Sequence, residues 1–317
     1  MKAVPPMAAE VERVPVSVAI PTYGREAVLV RTVEQLLAQR PAAAEILVLD
    51  QTIAHEPATD AHLRDWHAAG RIRWIRIAEP SQPQALNRGL RCATQEIVLC
   101  LDDDVEVEPA FVGAHARCYA DAAVVGVAGQ VLQPGQAPRT GYVHVDSGDP
   151  LAAQDFDFSS AAAAWVRNGM SGNLSFRRAA ALAVGGFDEN FLPPVSYRFD
   201  AEFCARLCRA GGRLRFEPAA TVRHLRAARG GTRTTGSHLT SASPAHGVGD
   251  YYFALRCGRG WPRARYLLRR PFREMRTRFH LLHPWWIPVK FVGELRALAL
   301  ALRLHRRGPR LLENADA

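Results

Sequence analysis

The sequence predicts an α/β fold, a mostly parallel central sheet flanked by helices, and three observations carry that expectation. Strand-like and helix-like stretches take turns four times between Val16 and Leu101. The polar residues Thr22, Asp50 and Asp102 to Asp104 each follow a strand-like run, which puts them on one rim of such a sheet. A chain of 317 residues with 48% hydrophobic content can bury a large core and is not compatible with disorder.

The elements follow in order. "VSVAI" (Val16 to Ile20) is a β-branched strand, "PTYGRE" a turn, and 27–39 a helix. "EILVL" runs into Asp50, 58–69 is helical, "RIRWIRI" (71–77) is a strand, 84–93 is helical, and "EIVLCL" closes the alternation. The second half is less regular. "GMSGNLSF" predicts a strand, 200–210 a helix, and "GRLRFEP" a strand leading into "TVRHL". "RAARGGTRTTGSHLTSASPAHGVGD", rich in Gly, Ser and Thr, predicts a mobile stretch. The organisation expected is an extension over 1–14, a main domain over 15–228, a flexible loop over 229–250 and a basic helical extension over 251–317.

Charge is unevenly spread. Residues 256–310 hold 15 Lys and Arg against Glu274 and Glu294, a local balance of +13 that leaves −4 for the rest of a +9 chain. Within it, "VKFVGELRALALALRLHRR" has apolar residues at helical spacing, and Trp261, Trp285 and Trp286 lie nearby. Such a segment suits an anionic membrane surface, or equally a helix packed on the main domain with its Arg side chains in water. No nucleic-acid-binding signature accompanies it. With no apolar run of 18 residues and no apolar leader in "MKAVPPMAAEVERVP", a cytoplasmic location is expected, peripheral on the inner face of the membrane. The six cysteines form no CxxC pair, so zinc is not expected and the thiols read as reduced.

The chemistry concentrates in "EIVLCLDDDVEVEP" (Glu96 to Pro109), where a strand meets three consecutive carboxylates. Their mutual repulsion calls for a cation, although a solvated turn is the plainer alternative. An EF-hand is excluded by spacing, because Val107 stands where its Gly belongs and Gly113 where its Glu belongs. "PTYGRE" lacks GxGxxG, and GxxxxGK[ST] is absent. A divalent ion held by carboxylates is the remaining device for neutralising a phosphate on this rim.

Five ordered stretches, "VSVAIPTYGRE", "EILVLDQT", "ALNRGLRCATQEIVLCLDDD", "SGNLSFRRAAALAVGGFDENF" and "FDAEFCARLCRAGGRLRFEPAATVRHL", resemble the inverting family-2 glycosyltransferases of GT-A fold, over about two-thirds of the chain. The resemblance implies a non-processive enzyme moving a sugar from a nucleotide-diphosphate donor to an acceptor hydroxyl, with Mn²⁺ or Mg²⁺ as cofactor. It implies donor contacts by Pro21, Thr22, Tyr23, Arg25, Asn87 and Arg88, base recognition by Asp50, and ribose or diphosphate contact by Asp103. Asp102 would belong to the donor-binding set and brace its loop by backbone hydrogen bonds, Asp104 and His224 would hold the metal, and Gly172 and Asn173 would lie on the acceptor side. Asp200 falls on the general base, with Glu202 as alternative, and Phe199 stands where the family usually has an acid. A nucleotidyltransferase or a catalytically silent nucleotide-binding module of the same fold are the other readings. Processive synthesis is disfavoured, since membrane spans and a QxxRW-type motif are missing.

Overall fold

A computed structural model describes residues 12–141, 148–151, 157–191, 197–231 and 237–313. Most of the 1–14 extension, part of the 229–250 stretch and the last four residues lie outside them.

The first half alternates as the pattern requires: β1 (Arg13–Thr22), α1 (Ala27–Leu37), β2 (Ala42–Asp50), α2 (Pro57–Ala68), β3 (Arg73–Arg76), α3 (Gln82–Cys92) and β4 (Ile97–Leu101). β1, β2 and β4 carry apolar residues on both faces of their buried stretches because both faces are covered, whereas β3 at the sheet edge keeps Arg73 and Arg76 exposed. Val16, Val18 and Ile20 of β1 pack towards α1, while Ala19 packs with Leu47, Leu49 and Leu86 on the opposite side. Strands β3, β2, β1 and β4 pair in parallel, so Thr22, Asp50 and Asp102 emerge at the same edge.

The second half adds β5 (Val105–Val107), α4 (Phe111–Cys118), β6 (Val124–Leu132), β7 (Ala164–Val166), β8 (Asn173–Arg177), α5 (Arg178–Ala183), α6 (Phe199–Arg209) and β9 (Arg213–His224). The sheet order is β3-β2-β1-β4-β8-β6-β9-β5, with β7 on β9. Antiparallel β8 slots between β4 and β6, so the sheet is parallel through β4 and mixed beyond it. Residues 169–172, expected as strand, instead form the turn that returns the Gly172 carbonyl to the Asp102 N–H at 3.2 Å.

Four helices follow: α7 (Val248–Cys257), α8 (Gly260–Met275), α9 (Arg278–Leu282) and α10 (Ile287–Arg307). Within 229–250, expected as mobile, Ala245 and Val248 are buried and α7 has already begun. Tyr251 and Tyr252 of α7, with Ala297 and Ala301 of α10, join the core beneath α6. A buried ion network fixes this layer. Arg270 pairs with Glu294 and, at 2.8 Å, with Asp250; Lys290 holds Glu294 at 3.0 Å, and Asp250 reaches Arg198 at 2.9 Å. No helix among the described residues is long and apolar enough to cross a membrane.

Candidate active site

A cavity of about 370 Å³ opens at the carboxyl edge of β1 and β4. It is lined by Pro21, Thr22, Tyr23 and Arg25, by Asp102, Asp103 and Asp104, and by Asp200. Sequence reasoning named all eight. It missed Gln51, Gln82, Met170, Ser171, Tyr197, Arg198 and Gly231, which with Phe199 complete the wall.

The three aspartates have different surroundings. Asp103 is nearly buried, and that burial pushes its carboxyl up to about 7 even though Arg25 opposes the shift. The Arg25 guanidinium spans the pair, with Nε 3.2 Å from Asp103 and Nη2 3.1 Å from Asp104. Burial would raise Asp104 as well, but the His224 hydrogen bond and charge, the Ala227 N–H and Arg25 outweigh it and hold the carboxyl below its ordinary value. Asp104 therefore divides its oxygens. Oδ2 takes Arg25 and the Ala227 N–H at 2.9 Å, and Oδ1 faces His224 Nε2 at 3.3 Å.

Asp102 joins this group, with Oδ2 3.9 Å from the same His224 nitrogen. Among the described residues, Asp102, Asp104 and His224 each offer one ligand atom, all within 4.8 Å of one another. Two carboxylate oxygens and an imidazole nitrogen so placed could hold a divalent metal ion. Asp102 braces the loop through its backbone N–H, which bonds the Gly172 carbonyl, while its carboxylate turns into the cluster. Gly172 makes that possible. A Cβ there would sit 2.3 Å from Asp102 Oδ2, so the glycine leaves space for the carboxylate.

The segment after β9 closes over Arg25. Its Nη1 donates to the carbonyls of Ala227, at 3.0 Å, and Arg229, and the Gly231 N–H bonds the Tyr23 carbonyl at 2.8 Å. Gly230, at φ +78°, permits the contact, because a Cβ would meet the Gly24 and Tyr23 carbonyl oxygens at 2.5 Å.

Asp200 lies in the first turn of α6, half-buried. Its oxygens accept the N–H groups of Ala201, at 2.8 Å, and Ser171, at 3.3 Å. Burial dominates and raises its carboxyl above the ordinary value, against those N–H groups and nearby Arg198. Arg198 caps the helix at φ 72°, a left-handed conformation costing a non-glycine residue about 1 kcal/mol or more. Its Nε bond to Asp250 and its position 5.6 Å over the Phe253 ring hold it there.

Other residues named from sequence lie elsewhere. Glu202 is 1% exposed and accepts three hydrogen bonds from Arg206 at 2.8–3.0 Å, so it does not line the cavity. Phe199 faces the cavity but packs against Phe187, which explains an apolar residue at that position. Asn87 is buried, its Nδ2 donating to the Phe187 carbonyl and Glu189 while its Oδ1 accepts the Phe187 N–H, so it braces the 186–189 turn and not a donor. Arg88 is exposed outside the cavity lining.

Asn173 donates to the carbonyls of Gln130 and Ala220 and accepts from buried His115, knitting β8, β6, β9 and α4 together. It offers nothing to an acceptor. Asp50 is fully buried. Burial would raise its carboxyl, but His55, the Thr52 N–H and Trp74 outweigh it, and Arg76 binds the same Oδ2 at 2.8 Å. With its oxygens so engaged, Asp50 holds the His55, Trp74 and Arg76 side chains in place and presents no surface of its own to a base.

Residues 17–179 match the model of the family described as glycosyl transferase family 2. The pre-mycofactocin glycosyltransferase of Mycobacterium tuberculosis (strain CDC 1551 / Oshkosh) is 31% identical over 143 residues, covering 44% of this chain and 29% of that protein. The counterpart from strain ATCC 25618 / H37Rv matches to the same extent, so this chain spans less than a third of the length of those relatives. The mannosyltransferase PcManGT of Pyrobaculum calidifontis, solved with GDP-Man and Mn²⁺, superposes with TM-score 0.55 at 21% identity, covering 93% of this chain and 79% of that one. GalNAc-T7, solved with UDP, GalNAc and Mn²⁺, superposes with TM-score 0.53 at 16% identity, covering 67% and 44%. At those identities the likeness is one of fold.

Proposed function

The chain belongs to glycosyl transferase family 2, and from that premise we propose that it is a metal-dependent, inverting enzyme that moves a sugar from a nucleoside-diphosphate donor to an acceptor hydroxyl. One observation carries the reading: Asp102 and Asp104, which cluster with His224, line the same cavity as the Asp200 carboxylate.

Asp102, Asp104 and His224 would hold Mn²⁺ or Mg²⁺, which when bound offsets the charge growing on the diphosphate as it departs. Arg25, already on Asp103 and Asp104, adds a fixed positive charge on that side. Asp103, buried beside Arg25, fixes that guanidinium and lies at the donor's ribose and diphosphate side. Tyr23 and Thr22 supply the floor of the donor subsite. Asp200 accepts the proton of the acceptor hydroxyl as its oxygen bonds to the anomeric carbon and the carbon–phosphate oxygen bond breaks, the electron pair leaving with the nucleoside diphosphate. Attack opposite the leaving group inverts the anomeric centre. The Ser171 and Ala201 N–H groups hold Asp200 in orientation, and Arg198 keeps positive charge beside it. Contact with a membrane surface falls, on this reading, to the basic helices α8 to α10.

A panel of nucleotide sugars tested by thermal shift, with Mn²⁺ and with EDTA, checks the proposal. At least one donor is expected to raise Tm in Mn²⁺ and to lose that effect in EDTA. Shifts that are the same in both conditions would remove the metal from the proposal.

A further inference from the structure

Among the described residues, nine of the eleven large apolar side chains that stand exposed fall between Trp261 and Leu295. Surface hydrophobes are ordinarily scattered, so this concentration in one stretch of chain signals a surface built to be covered.

Helical geometry sorts α8 into two faces. At about 100° per residue, Trp261, Leu268 and Phe272 lie within about 40° of one another, Arg265 and Arg269 follow within the next ~60°, and Arg276 caps the helix C-terminus. Arg270, on the far side, is buried in the ion network that ties α8 to α7 and α10. The outward face is therefore fixed by packing. Trp261 is 70% and Phe272 62% exposed, while Arg265, Arg269 and Arg276 make no ion pair among the described residues. These side chains line an open groove of about 870 Å³.

The next elements repeat the pattern. Leu281 and Leu282 of α9 are exposed, as is Trp285 in the turn that follows. On α10, Phe291, Val292 and Leu295 face outward, whereas Lys290, Gly293, Glu294 and Ala297 are buried on the opposite side.

We propose that α8, α9 and the start of α10 form a docking surface for an anionic lipid bilayer, with Trp261, Leu268, Phe272 and Trp285 entering the headgroup boundary and Arg265, Arg269 and Arg276 meeting the lipid phosphates. Charge complementarity selects this occupant, because exposed guanidinium groups beside an apolar stripe match an interface negative at its surface and apolar beneath. A second copy of the chain would bring these arginines against one another.

Deleting everything after Gly260 is a poor test, since it would also remove Ala297 and Ala301 from the core. Point substitutions of the full chain serve better, with binding read by co-sedimentation with vesicles of phosphatidylcholine alone or mixed equally with phosphatidylglycerol. The parent is expected to bind the mixed vesicles, to bind the neutral ones at least about tenfold more weakly, and to lose binding as salt rises. The triple variant Arg265→Gln, Arg269→Gln, Arg276→Gln is expected to lose on the order of 100-fold. Trp261→Ser with Phe272→Ser is expected to lose about tenfold or more, with unchanged Tm. The proposal is overturned if the parent ignores the mixed vesicles, if either variant binds like the parent, or if light scattering shows a dimer that Trp261→Ser with Phe272→Ser disperses. Vesicle binding does not depend on turnover, so this result and that of the transferase reading stand apart.

Discussion

Replacing Asp200 by Asn is expected to cut kcat by roughly 10²-fold or more while donor affinity stays near the parental value. The amide cannot take the acceptor's proton, yet it is nearly isosteric and retains one oxygen for either the Ala201 or the Ser171 N–H. Losing the other bond costs about 1 kcal/mol of stability, too little to account for the loss of turnover. The pH profile supplies a second readout. A base acts in its ionised form, and burial raises the Asp200 carboxyl, so activity should fall as pH drops through a value above the ordinary carboxylate one. Asp200→Asn should lack that limb. Glu202→Gln is the control. Glu202 lies behind the cavity wall in its pair with Arg206, so turnover should persist while stability falls. The reverse outcome would transfer the base to Glu202.

The second large effect is on folding. Arg206→Met is expected to destabilise the protein by about 3–5 kcal/mol, read by chemical denaturation. The substitution keeps an apolar stem but removes the principal partner of a buried carboxylate, leaving Glu202 only Arg256 at 3.5 Å. It also frees the Val184 and Gly186 carbonyls that the guanidinium holds. A loss under about 1 kcal/mol would mean that Arg256 or water compensates fully.

How much of this was legible in the sequence depended on whether a residue's role was local. Strands β1, β2 and β4 are continuous apolar runs ending in polar residues, and that pattern alone placed Thr22, Asp50 and the aspartates at one edge. β6 gave a weaker signal. Gly126 and Gly129 interrupt it, because a Cβ at either would strike Leu214 or Asn173. Asn87 and Asn173 show the opposite failure, since a buried amide that satisfies backbone carbonyls looks the same in sequence as one that holds a ligand. That Asp102 and His224 share one cluster was not legible locally, because they lie over a hundred residues apart. Arg198 carried one faint signal, a basic residue directly before the helix that bears Asp200.

The most direct test is calorimetry of nucleoside diphosphate binding, with and without Mn²⁺, to the parent protein and to Asp104→Ala, using the nucleotide that gives the largest thermal shift. Far-UV circular dichroism first establishes that the variant is folded. The parent should bind the nucleotide more tightly in Mn²⁺ than in EDTA, and Asp104→Ala should show no such gain, because it removes the oxygen facing both His224 and the cluster centre. An undiminished Mn²⁺ effect in Asp104→Ala would contradict the account.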